Sequence, residues 1–242
     1  GLEYTEIYTG PALQYRLTDL QPTRRVCVRV ASERDGSVSA FTPPLSVTAE
    51  PAKPLLWDSE ASNRAVLVSE DGFTAERPKG ISHWAVAVGS KPLDGEMYRY
   101  FEVTVRGESP YMYVGVGYEG QIGLSDAYCK RSVVWRKGTG DLYVHGTKVG
   151  RPKFAPLAAG NVTTIDYGYR NGDRVGVMVD LTVAKVAFFC NGSLQRTAGG
   201  LDVSLPIVPI VSLGASDVSA TFSVDPEPPQ TPRDMRKDGV GV

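Results

Sequence analysis

Few residues of the chain combine the chemistry and the spacing that catalysis or metal binding requires. The sequence has two histidines and three cysteines, and it has no His-x-x-x-His or Cys-x-x-Cys spacing of the kind that holds zinc. Cys129 could act as a nucleophile, but no residue near it in the sequence supplies a base. The stretch Gly115-Val116-Gly117 lacks the helix start that a nucleotide-binding loop needs. These observations predict a protein without a metal, a cofactor or an enzymatic activity.

Paired carboxylates are the remaining catalytic arrangement, because a glycoside hydrolase needs two of them at a set separation across a groove. The acidic residues here fall mostly in segments of turn composition, among them Glu70, Asp71, Glu119 and Asp126. They form no paired motif in the sequence. The sequence therefore defines no carboxylate pair that could hydrolyse a glycoside.

Composition and charge argue against two classes of partner. The net charge is -1 at pH 7, so no global field favours nucleic acid or an acidic membrane, and basic residues cluster only in short pairs such as Lys130-Arg131. No run approaches the ~20 apolar residues that a membrane helix needs. Three cysteines are too few to build a disulfide framework. We expect no nucleic-acid partner, no membrane partner, and a reducing cytoplasmic location.

Short β-branched or alternating apolar runs, separated by Gly, Pro, Asn and Asp, predict an all-β protein. This many strands cannot pack as one flat sheet, so a two-layer antiparallel sandwich is expected. Asn191-Gly192 follows one apolar run and predicts a tight turn. The expected strands are 25–31, 65–68, 84–88, 98–105, 113–118, 142–145, 174–180, 186–190, 207–212 and 219–224.

Five motifs between residues 55 and 224 stand in the order found in PRY–SPRY domains. They are Leu56–Ser62 with Ala65–Asp71, Tyr100–Val105, Val114–Val116, Gly140–Gly146, and Gly172–Leu181 with Val186–Gly192. Three of the motifs depart from the family: Asp58-Ser59 replaces Asp-Pro, Phe101 replaces Trp, and Leu181-Thr182 replaces Tyr-Glu. Residues 55–224 thus resemble a PRY–SPRY domain, and the resemblance implies a concanavalin-like sandwich.

Residues 13–48 resemble the second half of a fibronectin type III domain. Leu20-Gln21-Pro22 fits the family's turn, Val28–Ala31 fits the end of a strand, and Gly36-Ser37 fits a hairpin, whereas the usual corner tyrosine falls on Val26. We therefore expect a partial fibronectin type III domain at 1–50 and a proline-bearing linker at 51–54. Residues 225–242 are rich in proline and charge and predict a disordered tail.

These resemblances imply a binding function. SPRY domains recognise a peptide or a protein surface through loops at one end of the sandwich. A fibronectin type III module followed by SPRY occurs in cytoskeleton-associated tripartite-motif ubiquitin ligases and related scaffolds, which implies the targeting end of a larger protein that dimerises through an upstream coiled coil. Since the sandwich architecture is shared with lectins and some glycoside hydrolases, a glycan-binding or hydrolase-like function is the alternative.

Aromatic residues in and beside the expected loops are the candidate binding residues, because Tyr, Trp and Arg dominate interface hot spots. Several pairs occur, such as Tyr111 and Tyr113 after Ser109-Pro110. Alternation should bury about half of such side chains, and Tyr113 and Tyr143 are the expected core members; whether Trp135 also belongs to the core stays open. The predicted partner-binding residues are Phe73, Tyr118, Tyr128, Trp135, Tyr167, Tyr169, Arg170 and Leu213.

Overall fold

The computed structural model of the chain describes residues 25–48, 54–80, 83–93, 98–125, 130–149, 168–224 and 226–229. The chain divides into two compact units, Gly1–Lys53 and Pro54–Val242. Every regular element of the described residues is a β-strand. Each pair of hydrogen-bonded strands is antiparallel. The all-β prediction is therefore confirmed.

The first unit contains four described strands: β1 (Arg25–Val28), β2 (Glu33–Arg34), β3 (Ser37–Val38) and β4 (Leu45–Thr48). β1 pairs with β4, and β2 pairs with β3. Asp35 and Gly36 join β2 to β3 with φ values of 51° and 76°, the positive values that a tight hairpin turn requires. The predicted hairpin is present. The fibronectin type III identity stays a prediction, and residues 1–24 and linker residues 51–53 lie outside the described residues.

The second unit is a sandwich of two seven-stranded sheets. The first sheet has the order β13-β12-β11-β10-β17-β8-β5, with β5 at Trp57–Asp58, β8 at Ala85–Gly89, β10 at Met112–Tyr118, β11 at Ser132–Arg136, β12 at Leu142–Val144, β13 at Thr147–Lys148 and β17 at Ile207–Leu213. The second sheet has the order β16-β15-β14-β9-β18-β7-β6, with β6 at Leu67–Val68, β7 at Thr74–Arg77, β9 at Tyr98–Arg106, β14 at Arg174–Asp180, β15 at Lys185–Cys190, β16 at Ser193–Ala198 and β18 at Val218–Phe222.

One continuous apolar core lies between the two sheets. Because side chains alternate along a strand, β9 and β14 send every second residue into it, namely Phe101, Val103, Val105, Val175, Val177 and Val179. Trp57 stacks on Phe222 with 4.2 Å between ring centroids, and its indole Nε1 donates a hydrogen bond of 3.1 Å to the carbonyl of Ala220. Both contacts attach the edge strand β5 of the first sheet to β18 of the second sheet.

The outer face of the first sheet carries a second apolar cluster. Ile122 and Leu124, which follow β10, pack against it, and the carbonyl of Leu124 accepts a hydrogen bond of 3.1 Å from the amide of Val86. The predicted burial of Tyr113 and Tyr143 is confirmed, but the two rings belong to this outer cluster. Its buried members are Val86, Val88, Tyr113, Val134, Tyr143, Val208 and Ile210.

The tight turn predicted at Asn191-Gly192 joins β15 to β16 and has φ values of 49° and 80°. These positive values are those of the hairpin turn that the Asn-Gly sequence favours. Most of the predicted disordered tail lies outside the described residues, since the structure describes only residues 226–229 of it.

Candidate functional site

Trp135 and Tyr169, two predicted binding residues, lie inside the core between the sheets. Their exposed fractions are 1% and 0%, and their rings meet edge to face with 5.0 Å between centroids. The Tyr169 hydroxyl donates to the carbonyls of Met112 and Trp135 at 3.1 and 3.3 Å. Burial raises the pKa of Tyr169 well above its ordinary value, so the hydroxyl stays a donor. The prediction that these two rings face a partner is wrong, because both side chains are buried in the core.

Tyr118 and Leu213 are also buried, with 3% and 0% of their surfaces exposed. Both point from the first sheet into the core, and the Tyr118 hydroxyl accepts a hydrogen bond of 2.7 Å from the amide of Asp202. A partner cannot reach these side chains while the sandwich is closed. The structure therefore brings Trp135, Tyr169 and Leu213 together, but in one core cluster rather than on a binding surface.

The remaining predicted residues have separate environments. Phe73 precedes β7 and is half-buried against the core. Arg170 is exposed in the segment before β14. Tyr128 and Tyr167 lie outside the described residues. Phe73 and Arg170 thus stay predictions as binding residues.

Strand ends of the first sheet bring together a different set of side chains, here called the aromatic platform: Trp84, Tyr111, Tyr113 and Arg136. Trp84 immediately precedes β8, Tyr111 immediately precedes β10, and Arg136 ends β11. The Trp84 ring lies 6.2 Å from that of Tyr111 and 5.3 Å from that of Tyr113, between centroids. The Arg136 guanidinium carbon lies 5.6 and 5.9 Å from the two tyrosine centroids. Tyr111 is 49% exposed, so the platform presents an aromatic ring to solvent.

The backbone beneath the platform is held on two sides. The amide of Gly214 donates a hydrogen bond of 2.7 Å to the carbonyl of Tyr111, and a Cβ at Gly214 would fall 2.3 Å from the Trp84 ring. On the other side, the amide of Lys137 donates to the carbonyl of Met112 at 2.9 Å. The missing side chain of Gly214 therefore lets the Trp84 ring pass over the end of β17 toward the tyrosines of β10.

Asp141 closes the turn between β11 and β12 next to the platform. Its carbonyl accepts a hydrogen bond of 2.8 Å from the amide of Arg136, and its carboxylate pairs with Lys148 Nζ at 2.8 Å. Burial alone would raise the pKa of Asp141, but hydrogen bonds from Lys148 and Thr139 and the charges of Lys148 and Arg136 lower the pKa below its ordinary value. The folded state thus favours the ionised carboxylate.

We expect Asp141→Asn to lower the free energy of unfolding by about 1–3 kcal/mol at pH 7, because a buried charged hydrogen bond is lost. Because the pKa of Asp141 is lower in the folded than in the unfolded protein, its ionised carboxylate stabilises the fold at pH values above the unfolded pKa of about 3.9. This stabilisation disappears as the pH falls through the folded pKa. Urea unfolding from neutral to acid pH should show the variant approaching the parent protein in acid. Glu119→Gln, at an exposed carboxylate, is the matched control. If the free energies of unfolding of Asp141→Asn and the parent protein differed by the same amount at all pH values, the lowered pKa of Asp141 would be contradicted.

Sequence reasoning noted Tyr111 among the loop aromatics, but Trp84, Tyr111 and Arg136 are all absent from the predicted partner-binding residues. Each lies at the first or last position of a strand or just before it, where a side chain can reach a loop end of the sheet. Tyr111 also follows a proline, which favours a chain reversal. Position at a strand end beside a turn was therefore the available signal, whereas aromatic character alone selected core residues.

The described residues contain neither a metal-ion cluster nor a membrane-crossing helix. No group of three or more His, Cys, Asp or Glu side chains in this part of the chain could hold a metal ion. No described helix has the length and apolar character to cross a membrane.

Solved structures of similar fold were found by comparison. The SPRY domain of human HERC1 has a TM-score of 0.53 at 16% identity, covering 71% of this chain and 99% of that one. The PSpry domain of TRIM65 has a TM-score of 0.52 at 14% identity, covering 71% of this chain and 93% of that one. At these identities the likeness shows the fold of the sandwich.

Two sequence comparisons address the family of the chain. No curated protein matches the chain. The family model described as SPRY domain matches residues 98–226, which are more than half of the 242 residues and include β9 through β18. The chain therefore belongs to the SPRY domain family.

Proposed function

We propose that this chain is a non-enzymatic interaction module that binds a peptide or an exposed loop of a partner protein through the aromatic platform. SPRY domains are protein-interaction modules, and the platform lies where several strand ends of the sandwich meet. The observation that carries the proposal is Tyr111, a large aromatic side chain that is 49% exposed although it packs edge to face against Trp84.

The chemistry of the platform favours binding of a protein segment. Tyrosine and tryptophan offer a large contact area and lose little conformational entropy, because each side chain has only two rotatable angles. The Trp84 ring is already fixed over Gly214, so little further ordering is needed when a partner arrives. A rigid, partly exposed aromatic pair of this kind has the properties of an interface hot spot.

We further propose that the chain serves as the targeting end of a larger scaffold or ubiquitin-ligase-type protein, located in the cytoplasm in association with the cytoskeleton and dimeric through a coiled coil upstream. These proposals rest on the order of the fibronectin type III-like and SPRY segments in the sequence. Size-exclusion chromatography with light scattering on the full-length protein would test the dimer, and imaging of the tagged protein would test the location.

Selection of a displayed random-peptide library with the full chain tests the platform. We expect Tyr111→Ala to weaken the selected peptides on the order of 30-fold, which corresponds to the loss of one hot-spot side chain. Fluorescence polarisation of labelled peptides measures the affinity. Because Tyr111 is half-exposed, the free energy of unfolding should change by no more than about 0.5 kcal/mol.

Leu67→Ala is the control for this experiment, since Leu67 is a large apolar residue with 57% exposure on β6, at the edge of the other sheet. It should leave the affinity unchanged. Equal losses in the two variants, or none in Tyr111→Ala, would remove the platform as the binding surface. Saturable glycan binding that Tyr111→Ala abolishes would instead support a carbohydrate-binding function.

A further inference from the structure

Arg136 occupies an unusual electrostatic position in the platform. The guanidinium lies near both tyrosine rings, and Nε is buried without a hydrogen-bond acceptor among the described residues. A buried donor that lacks an acceptor is energetically unfavourable. Because Nε itself is enclosed, the half-buried Arg136 side chain can offer a partner only the terminal nitrogens of its guanidinium.

Three carboxylates in turns of the described residues have partners other than Arg136. Asp141 pairs with Lys148 at 2.8 Å, and Asp217 lies 3.7 Å from the ammonium of Lys79. The carboxylate of Glu108 accepts a hydrogen bond of 2.6 Å from the side-chain amide of Asn171. Asp141 and Arg136 attract each other electrostatically, but no ion pair joins them among the described contacts. The positive charge of Arg136 is thus left at the half-exposed end of the sheet.

The surroundings of Arg136 favour a single carboxylate over a polyanion. Lys137, the next cation along the chain, is 4% exposed and turns away, because its Nζ donates to the carbonyl of Gly107. Nucleic-acid binding normally requires several cations along a phosphate backbone. One guanidinium beside aromatic rings instead matches the planar fork of a carboxylate, which can accept two parallel hydrogen bonds.

We infer that Arg136 is the specificity-determining residue of the platform and that it selects an acidic peptide, in which an Asp or Glu stands beside an apolar side chain. The carboxylate accepts hydrogen bonds from the Arg136 guanidinium, and the apolar side chain packs on Tyr111 and Trp84. This inference rests on the proposed function, since both concern the same surface, and it adds the chemistry of the partner.

Two measurements with the random-peptide library test the inference. First, the selected peptides should be enriched in Asp or Glu at one position next to an aromatic or aliphatic residue. Second, in fluorescence polarisation, exchange of that acid for its amide in the peptide and Arg136→Ala in the protein should each weaken binding on the order of 30-fold. Applied together, they should weaken binding little beyond either change alone, because both remove the same interaction.

Two protein variants separate charge from geometry. Arg136→Lys keeps the charge but loses the planar fork and the contact with the rings, so its affinity should fall between those of the parent protein and Arg136→Ala. Lys130→Ala removes an exposed positive charge before β11, at the opposite end of that strand from Arg136. The Lys130→Ala variant should bind the peptides with unchanged affinity. The acid-to-amide exchange in the peptide uses the unmodified protein, so it gives a result even if an Arg136 variant fails to fold.

The outcomes distinguish this inference from the proposed function. Peptides that depend on Tyr111 but contain no enriched acid and bind Arg136→Ala normally would overturn the role of Arg136 and leave the platform as a binding surface. Equal losses in Lys130→Ala and Arg136→Ala would reduce the effect to net charge and would also overturn it. Failure to enrich any Tyr111-dependent peptide would overturn both.

Discussion

Trp135→Ala is expected to lower the free energy of unfolding by about 3–5 kcal/mol, the range for removal of a buried aromatic side chain. The Trp135 ring is 1% exposed and lies within 5.0 Å of Tyr169 and 6.1 Å of Phe188, between centroids. Truncation would leave a cavity in the tightly packed core between the sheets. Urea unfolding followed by tryptophan and tyrosine fluorescence measures the change.

Tyr111→Ala is the matched control for this loss, because it also truncates an aromatic side chain, next to the first sheet but at a half-exposed position. The two variants should separate stability from recognition: Trp135→Ala lowers the midpoint of unfolding, and Tyr111→Ala lowers peptide affinity. If Trp135→Ala kept the stability of the parent protein but bound the peptides more weakly, Trp135 would belong to the binding surface and its place in the core would be refuted.

The inward orientation of Trp135 could not be predicted from its strand alone. In most sandwiches polar residues mark the outer face, but β11 reads Ser-Val-Val-Trp-Arg. Val133 and Trp135 face the core between the sheets, whereas Val134 belongs to the outer cluster. Because both faces of the strand are covered, its sequence lacks the polar alternation that would reveal the direction of each side chain.

The same reasoning explains which strands the sequence predicted. Apolar strands such as β14 were predicted with their observed limits, since Val175, Val177 and Val179 alternate within a run bounded by turn residues. β16, with the sequence Ser-Leu-Gln-Arg-Thr-Ala, was missed because it is an edge strand with mostly exposed residues. β7 was missed because Arg77, although 0% exposed, reads as a surface residue in the sequence.

The residues of the aromatic platform come from separate parts of the sequence, so no local sequence pattern predicts that they meet. Trp84 and Tyr111 precede β8 and β10, which are not adjacent, since β17 lies between them. They meet because β17 ends just before Gly214, which has no side chain to separate them. The residue types were visible in the sequence, but their proximity follows only from the strand order.

The second large effect expected is that of Gly115→Ala in β10, at the centre of the Val114-Gly115-Val116 motif. A Cβ at Gly115 would lie 2.0 Å from the carbonyl oxygen of Val133 and 2.8 Å from the Cα of Val134. Both atoms belong to the backbone of β11, with which β10 is paired, so no side-chain rotation relieves the clash. We expect a loss of about 3 kcal/mol in the free energy of unfolding, at the upper end for overpacked sites.

Gly199→Ala provides the matched control, because it introduces the same methyl group at an exposed glycine where no atom lies within 4 Å of the new Cβ. There the substitution should be neutral or should stabilise the protein by up to about 1 kcal/mol, since alanine restricts the unfolded chain more than glycine does. Urea unfolding of the two variants gives the comparison directly. Equal stabilities would mean that β10 and β11 do not approach as closely as described, and the fixed position of Arg136 at the end of β11, on which acidic-peptide recognition depends, would lose its structural basis.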